Sequence, residues 1–254
     1  MLASLPMYDW PEVRDATDAL WSAIAAKLGV AERLERSGDY AAPWRDPTLL
    51  FSQTCGYPYT HEFRNRLAYV ATPHYACDGC NGANYCSIVF AREKLPLEAF
   101  RGRRAAINTL ESMSGMLALK LVFAPLAGDD AFFGDTTLTG GHIPSLLAVR
   151  DKRADVCAID AVCVALARRY RPRDLDGLVE VARSPLVPGL PFVTSLGRDT
   201  GPFRQALQDV FADPALEAAR AALYLSGLSV LPPTAYDRIL DLEGAMERGG
   251  GLTL

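Results

Sequence analysis

The stretch that decides the fold runs Thr139-Gly140-Gly141-His142-Ile143-Pro144-Ser145-Leu146-Leu147-Ala148-Val149-Arg150, continues through Ala154-Asp155-Val156-Cys157-Ala158-Ile159, and ends at Asp160-Ala161-Val162-Cys163. Residues 135–139 read as a short strand that stops at a Gly-Gly turn. Residues 144–150 read as a helix with proline in its first turn, a position where the missing N–H costs nothing. Residues 156–159 are a second strand, and 160–169 a second helix whose apolar positions recur at helical spacing. Strand, tight turn, helix, strand and helix in so few residues define an α/β unit.

The same alternation extends outward in both directions. Toward the C-terminus, 178–183 and 192–195 read as strands, and 203–211, 214–226 and 234–246 as helices. Toward the N-terminus, 104–108 is a strand leading to a helix over 114–123, and 86–91 is a strand rich in β-branched and aromatic residues. Before it come strands at 2–7, 49–53 and 68–72, a helix from Pro11 with Val13, Ala16, Leu20, Ile24 and Leu28 on one face, and a short helix over 62–67. Such a pattern predicts α/β architecture with largely parallel sheets. Two segments look like crossings between lobes, 90–92 and 187–192. They divide the chain into a discontinuous lobe one (1–90 with 191–254) and a lobe two (91–190).

Composition bounds the function. A chain of 254 residues, 50% hydrophobic and 22% charged, is long enough for one large domain or two modest ones. At this size roughly 70% of the unfolded surface is buried, so stability calls for neither a metal nor a disulfide. A net charge of -4 argues against nucleic acid as the main partner. No run approaches the ~20 apolar residues of a membrane span. The opening, Met1-Leu2-Ala3-Ser4-Leu5-Pro6-Met7, reads as a first strand, and the first basic residue is Arg14. An export signal begins differently, so this reading expects a cytoplasmic protein, or a periplasmic one from which a leader has been removed.

In open α/β sheets ligands gather beyond the carboxyl ends of strands, where helix N-termini present free N–H groups. Four such junctions carry small or polar residues: Thr54-Cys55-Gly56-Tyr57, Glu111-Ser112-Met113-Ser114-Gly115, the turn at Gly140-Gly141-His142, and Ile159-Asp160. Hydroxyls and glycines there suit an anion, although each alone is also what an ordinary helix cap looks like. Tyr8, Trp10, Tyr57, Tyr59, Tyr75 and Tyr85 stand at turns and strand starts as exposed-looking aromatics that could wall a crevice. The sequence lacks a dinucleotide fingerprint, a P-loop and a nucleophile elbow, so nothing calls for an enzyme or a cofactor. His74, Cys77, Cys80 and Cys86 form a His-x2-Cys-x2-Cys-x5-Cys cluster. Three readings stand for it: tetrahedral zinc, a redox pair, or inert thiols. Cys157 and Cys163 lie in apolar surroundings and read as small buried hydrophobes.

The run Asn108-Thr109-Leu110-Glu111-Ser112-Met113-Ser114-Gly115 resembles the serine-rich signature of the phosphonate/phosphate-binding component of ABC transporters. The segment from Thr139 to Val149, followed by Ala154-Asp155-Val156-Cys157-Ala158-Ile159-Asp160, resembles that family's next signature. The resemblance implies a two-lobed type II periplasmic-binding-protein fold, with a small anionic or zwitterionic ligand in an interlobe cleft and an ABC permease as a possible partner. Carried over residue by residue, it implies hydroxyl donors at Ser112 and Ser114, backbone donors at Met113, Ser114 and Gly115, and a donor at His142 from the opposite side of the ligand. It further implies an orienting carboxylate at Asp160 and contributions from Thr54, Gly56 and Tyr57 of the other lobe; Tyr8, Cys55 and Tyr85 join the candidate ligand site from their own places at turns and strand ends. Two other readings are carried forward: an enzyme on the same fold with Cys55 in the cleft, and a metal- or redox-responsive protein built on His74, Cys77, Cys80 and Cys86.

Overall fold

The computed structural model describes residues 1–31, 33–36, 38–128, 131–232 and 234–254. The chain forms two compact α/β units. The first comprises Met1–Ala76, Asn81–Asn84 and Pro188–Ala235, the second Cys77–Cys80, Tyr85–Val187 and Tyr236–Leu254. The sequence pattern places lobe one at 1–90 with 191–254 and lobe two at 91–190. The differing residues include the amphipathic helix Asp237–Arg248, which packs on helix Ala118–Phe123 of the second unit.

The first unit is built on a five-stranded sheet in the order Leu2–Ser4, Leu49–Gln53, Phe192–Ser195, Leu67–Tyr75, Leu225–Ser229. Helix Arg14–Leu28 buries Thr17, Leu20, Trp21, Ile24 and Ala25, one stripe at 3.6-residue spacing. It ends where Gly29 turns into the left-handed region (φ +67°) and its N–H reaches back to the carbonyls of Ala25 and Ala26. Phe51, fully buried, stacks with Trp21, Phe192 and Phe203 at centroid distances of 5.2 to 6.1 Å. Truncating such a ring to alanine costs about 3–5 kcal/mol.

The second unit's sheet runs Val179–Arg183, Ser87–Ala91, Val156–Asp160, Arg104–Ile107, Asp135–Leu138. Val156–Asp160 and Ser87–Ala91 are buried at every residue, which is why they read as unbroken apolar runs rather than alternating ones. Arg104–Ile107 is parallel to both Val156–Asp160 and Asp135–Leu138.

The sheets are mixed, not largely parallel. Antiparallel pairings join Val179–Arg183 to Ser87–Ala91, Ser87–Ala91 to Val156–Asp160, and Phe192–Ser195 to both of its neighbours. A second correction falls at 214–226. The helix Glu217–Ala222 gives way to strand Leu225–Ser229, paired antiparallel to Leu67–Tyr75. A third concerns 62–67: the helical turns there are Gly56–Pro58 and Tyr59–Phe63, which start directly after Cys55. A fourth concerns the aromatics, since Tyr8, Tyr59, Tyr75 and Tyr85 are all buried by folding of their turns against the core.

Candidate functional site

Three parallel strands of the second unit each run into a helix at the same sheet edge. Arg104–Ile107 leads through Ser112 to Met113–Leu117 and Ala118–Phe123, Asp135–Leu138 leads to His142–Arg150, and Val156–Asp160 leads to Ala161–Tyr170. Parallel pairing therefore collects three helix starts at one edge, the usual location of ligands in such sheets.

Ser112 is the N-cap of the first helix start. Its backbone is extended, and its Oγ accepts the Gly115 N–H at 2.9 Å. The following turn is π-helical, with Leu117 N–H donating to the Ser112 carbonyl at 2.9 Å. Such wide turns recur at functional sites, and the first N–H groups of any helix have no acceptor within it. Gly115 is required by packing, because a Cβ there would lie 1.8 Å from Asn108 Oδ1.

The next turn is fastened to this one. Gly140 N–H donates to the Asn108 carbonyl (2.9 Å), and Thr139 N–H to that of Ile107 (2.9 Å). Gly140 itself takes φ +83°, so the chain can reverse into the helix that begins at His142. Thr139 Oγ1 shares a hydrogen bond with Ser145 Oγ at 2.6 Å, which anchors the first helical turn. Held in this way, His142 Nε2 lies 2.9 Å from Ser114 Oγ, across 28 residues of sequence. Burial pushes the imidazole down to about 4, its Nδ1 enclosed without a hydrogen-bond partner and the Ala158 backbone opposing the shift only in part, so the ring is neutral at pH 7.

Asp160 ends the central strand and is 1% exposed. Its Oδ1 accepts from the N–H groups of Val162 (2.7 Å) and Cys163 (3.3 Å). Tyr85 is buried in the same unit.

The expected residues of the first unit lie at the end of Leu49–Gln53. Thr54 is buried, its N–H donating to the Pro191 carbonyl and its hydroxyl to that of Cys55. Cys55 is half-buried in extended backbone at the start of the helical turns, Gly56 is buried, and Tyr57 stacks on His61 at 3.8 Å. Tyr8 packs edge-on to Tyr75, whose hydroxyl accepts from Gln53 Nε2, and both line a largely apolar cavity of about 50 Å³.

Ser112, Met113, Ser114, Gly115 and His142 are thus brought together in the second unit. Asn108 belongs beside them and went unrecognised as a site residue. Its Oδ1 is buried without a hydrogen-bond partner against Gly115. The available signal was a polar residue at the end of the apolar strand 104–107. His74 Nε2 bonds Ser229 Oγ at 2.8 Å, and among the described residues no group of three or more His, Cys, Asp or Glu is placed to hold a metal ion.

Chemically, the arrangement suits binding rather than turnover. A serine beside a histidine looks like a nucleophile and its base. Yet the ring's Nδ1 is buried without a hydrogen-bond partner rather than held by a carboxylate, and at about 4 it is a weak base, far from the poise near 7 that general-base catalysis favours.

The family model places the chain among non-enzymatic solute-binding proteins, and its two α/β units fit the type II periplasmic-binding fold. Residues 2–234 match the family described as ABC transporter, phosphonate, periplasmic substrate-binding protein, and the chain belongs to that family. No curated protein sequence matches it significantly. Among solved structures, it is similar to a binding-protein component of an ABC phosphonate transporter (PA3383) from Pseudomonas aeruginosa. The TM-score is 0.77 at 18% identity, over 98% of this chain and 87% of that one. It is also similar to PhnD1 from Prochlorococcus marinus in complex with methylphosphonate, with TM-score 0.75, 14% identity, and 97% and 98% coverage. A third is XAC2383 from Xanthomonas citri bound to ATP, with TM-score 0.71, 18% identity, and 98% and 97% coverage. The enzyme built on Cys55 and the metal- or redox-responsive protein are not favoured by this membership. Among the described residues no helix is long and apolar enough to cross a membrane.

Proposed function

We propose that the protein binds a small phosphate- or phosphonate-like solute at the helix start formed by Ser112, Met113, Ser114 and Gly115, with His142 completing the contact. The observation that carries this reading is the 2.9 Å approach of Ser114 Oγ to His142 Nε2, which joins two sequence motifs at one helix N-terminus. An entering oxyanion exchanges that internal bond for hydrogen bonds from the hydroxyl and the ring, and gains N–H donors and the helix dipole. Because the imidazole is neutral, attraction rests on dipoles and hydrogen bonds rather than on a formal positive charge at position 142. Thr54, Gly56 and Tyr57 are further proposed contacts supported by family resemblance, and Tyr8, Cys55 and Tyr85 by their places at turns and strand ends, while Asp160 is proposed to act through the helix cap it forms rather than on the ligand. Delivery of the solute to an ABC permease, in the periplasm, is the physiological role proposed from family membership.

Titration calorimetry on the full chain with methylphosphonate, inorganic phosphate, sulfate and ATP tests this. The expected result is saturable binding of methylphosphonate or phosphate, weakened about 5- to 150-fold by His142→Ala. Tight ATP binding with no response to methylphosphonate moves the ligand to the nucleotide class. Binding indifferent to the His142 change removes the site assignment.

A further inference from the structure

The cysteine motif is not used by the ligand site, and its geometry has a use of its own. Cys77, Asp78, Gly79 and Cys80 form a β-turn closed by the Cys80 N–H donating to the Cys77 carbonyl at 3.1 Å. Gly79, at φ +92°, supplies the left-handed residue that the third position of a type II turn demands. A β-turn brings its end residues within 7 Å between Cα atoms, and a disulfide needs about 4.4–6.8 Å. The two sulfurs already lie 3.5 Å apart, and both thiols are free and half-buried.

Both sides of the turn are fixed. Asp78 accepts two hydrogen bonds from Arg183, each 2.7 Å, and a longer ion pair from Arg168 at 3.5 Å. Gly79 is pressed so closely on the helix starting at Ala161 that a Cβ would stand 2.7 Å from the Ala161 Cβ. The third thiol, Cys86, is buried behind Gly79, and its N–H donates to the Gly79 carbonyl at 2.8 Å. Cys86 braces the turn, while Cys77 and Cys80 face each other, with Cys77 Sγ also 3.9 Å from the Ala161 carbonyl.

We propose that Cys77 and Cys80 form a reversible dithiol–disulfide site whose co-reactant is the disulfide of a small thiol. The Cys77 thiolate attacks one sulfur of R–S–S–R, forming Cys77–S–S–R and expelling RS⁻, which takes up the proton that Cys77 gave away. Cys80 then loses its proton and attacks the Cys77 sulfur, expelling the second RS⁻, which is protonated in turn. Two protein thiols are oxidised to one disulfide, and one small disulfide is reduced to two thiols. The same exchange begun from either sulfur gives the same disulfide, and the Cys80 thiol is pushed up by its hydrogen bond to Cys77 and by burial. Cys86 is pushed up by burial and stays a thiol.

The test equilibrates the full chain in buffers poised with reduced and oxidised glutathione. Samples are acid-quenched, denatured and alkylated, and the labels are counted by intact mass. The expected result is loss of two labels in one step, reversed by added reduced thiol, with a peptide map that links Cys77 to Cys80. Cys77→Ser and Cys80→Ser abolish the step and leave a glutathione adduct on the remaining cysteine, while circular dichroism stays unchanged. Cys86→Ala retains the step; should that variant not fold, the peptide map of the wild-type chain locates the bond. Retention of all six thiols across the series, a linkage through Cys86, or adducts that never close the ring would each overturn the proposal.

Discussion

The second unit holds two strand-to-helix junctions that look alike in sequence and spend their polar atoms differently. At Ile159-Asp160 there is one polar side chain, and the helix consumes it: Asp160 Oδ1 caps the N–H groups of Val162 and Cys163. At Ser112-Met113-Ser114 there are two hydroxyls. Ser112 takes the capping duty by accepting from Gly115, which leaves Ser114 to meet His142 from another helix. A polar residue before a helix is therefore ambiguous alone, but a pair spaced by one residue divides the labour between cap and ligand donor. The comparison makes separable claims about stability and affinity.

The largest effect is expected at Asp160. Asp160→Ala strands two buried N–H groups at the head of a fully packed helix and should lower unfolding stability by about 2–3 kcal/mol in urea titration. Asp160→Asn, which keeps an acceptor, should restore most of it. If methylphosphonate affinity drops further than stability does, the carboxylate also serves the ligand and the contrast between the junctions fails. Ser114→Ala comes next, with the opposite signature. It should weaken ligand binding by about 1–3 kcal/mol while shifting the unfolding midpoint little, since capping of its helix remains with Ser112.

How much of this was legible follows from the same residues. The order of strands and helices from 104 to 170 could be read because each element carries its own periodicity and each turn its own glycine or proline. The meeting of Ser114 with His142 was legible only as a family resemblance, since no local rule ties residues 28 positions apart. The antiparallel strands were not legible, because pairing direction is set by where the chain returns. Strand Leu225–Ser229 shows why. Its sequence continues an alanine-rich helix, and the break comes at Tyr224, a non-glycine residue at φ +57° that no turn signal announces. Pairing with residues 72–75 outweighs local helix propensity there. Asp160 was legible as a helix start, but whether its carboxylate is spent on the cap is a question of atomic geometry.

The histidine half of the site adds a pH dependence. His142 is held at about 4 in the folded chain, below the ordinary 6.5, so between these values the unfolded chain binds more protons. Stability should be complete above about pH 6.5 and fall as pH drops toward 4. The loss is on the order of 1–2 kcal/mol, discounted because His142 as a whole residue is half-buried. His74, also lowered by burial, contributes in the same direction. Urea titrations at pH 7.5 and 4.5 should therefore differ more for the wild-type chain than for His142→Gln, with the residual slope assigned to His74. An unchanged slope in His142→Gln would mean that the ring titrates normally and meets Ser114 in a solvated setting.

The smallest effect distinguishes the two hydroxyls themselves. Ser112→Ala removes the cap on Gly115 and should cost about 1 kcal/mol of stability, whereas Ser112→Asn, a good capping residue, should cost a few tenths. In calorimetry with methylphosphonate, Ser112→Ala should reduce affinity less than Ser114→Ala does, because Ser112 already has a partner that it must abandon to reach an anion. Equal losses would mean that the ligand draws Ser112 away from Gly115. The first helical turn would then rearrange on binding, and backbone amide shifts at Gly115 should report that rearrangement in the wild-type chain and not in Ser112→Ala.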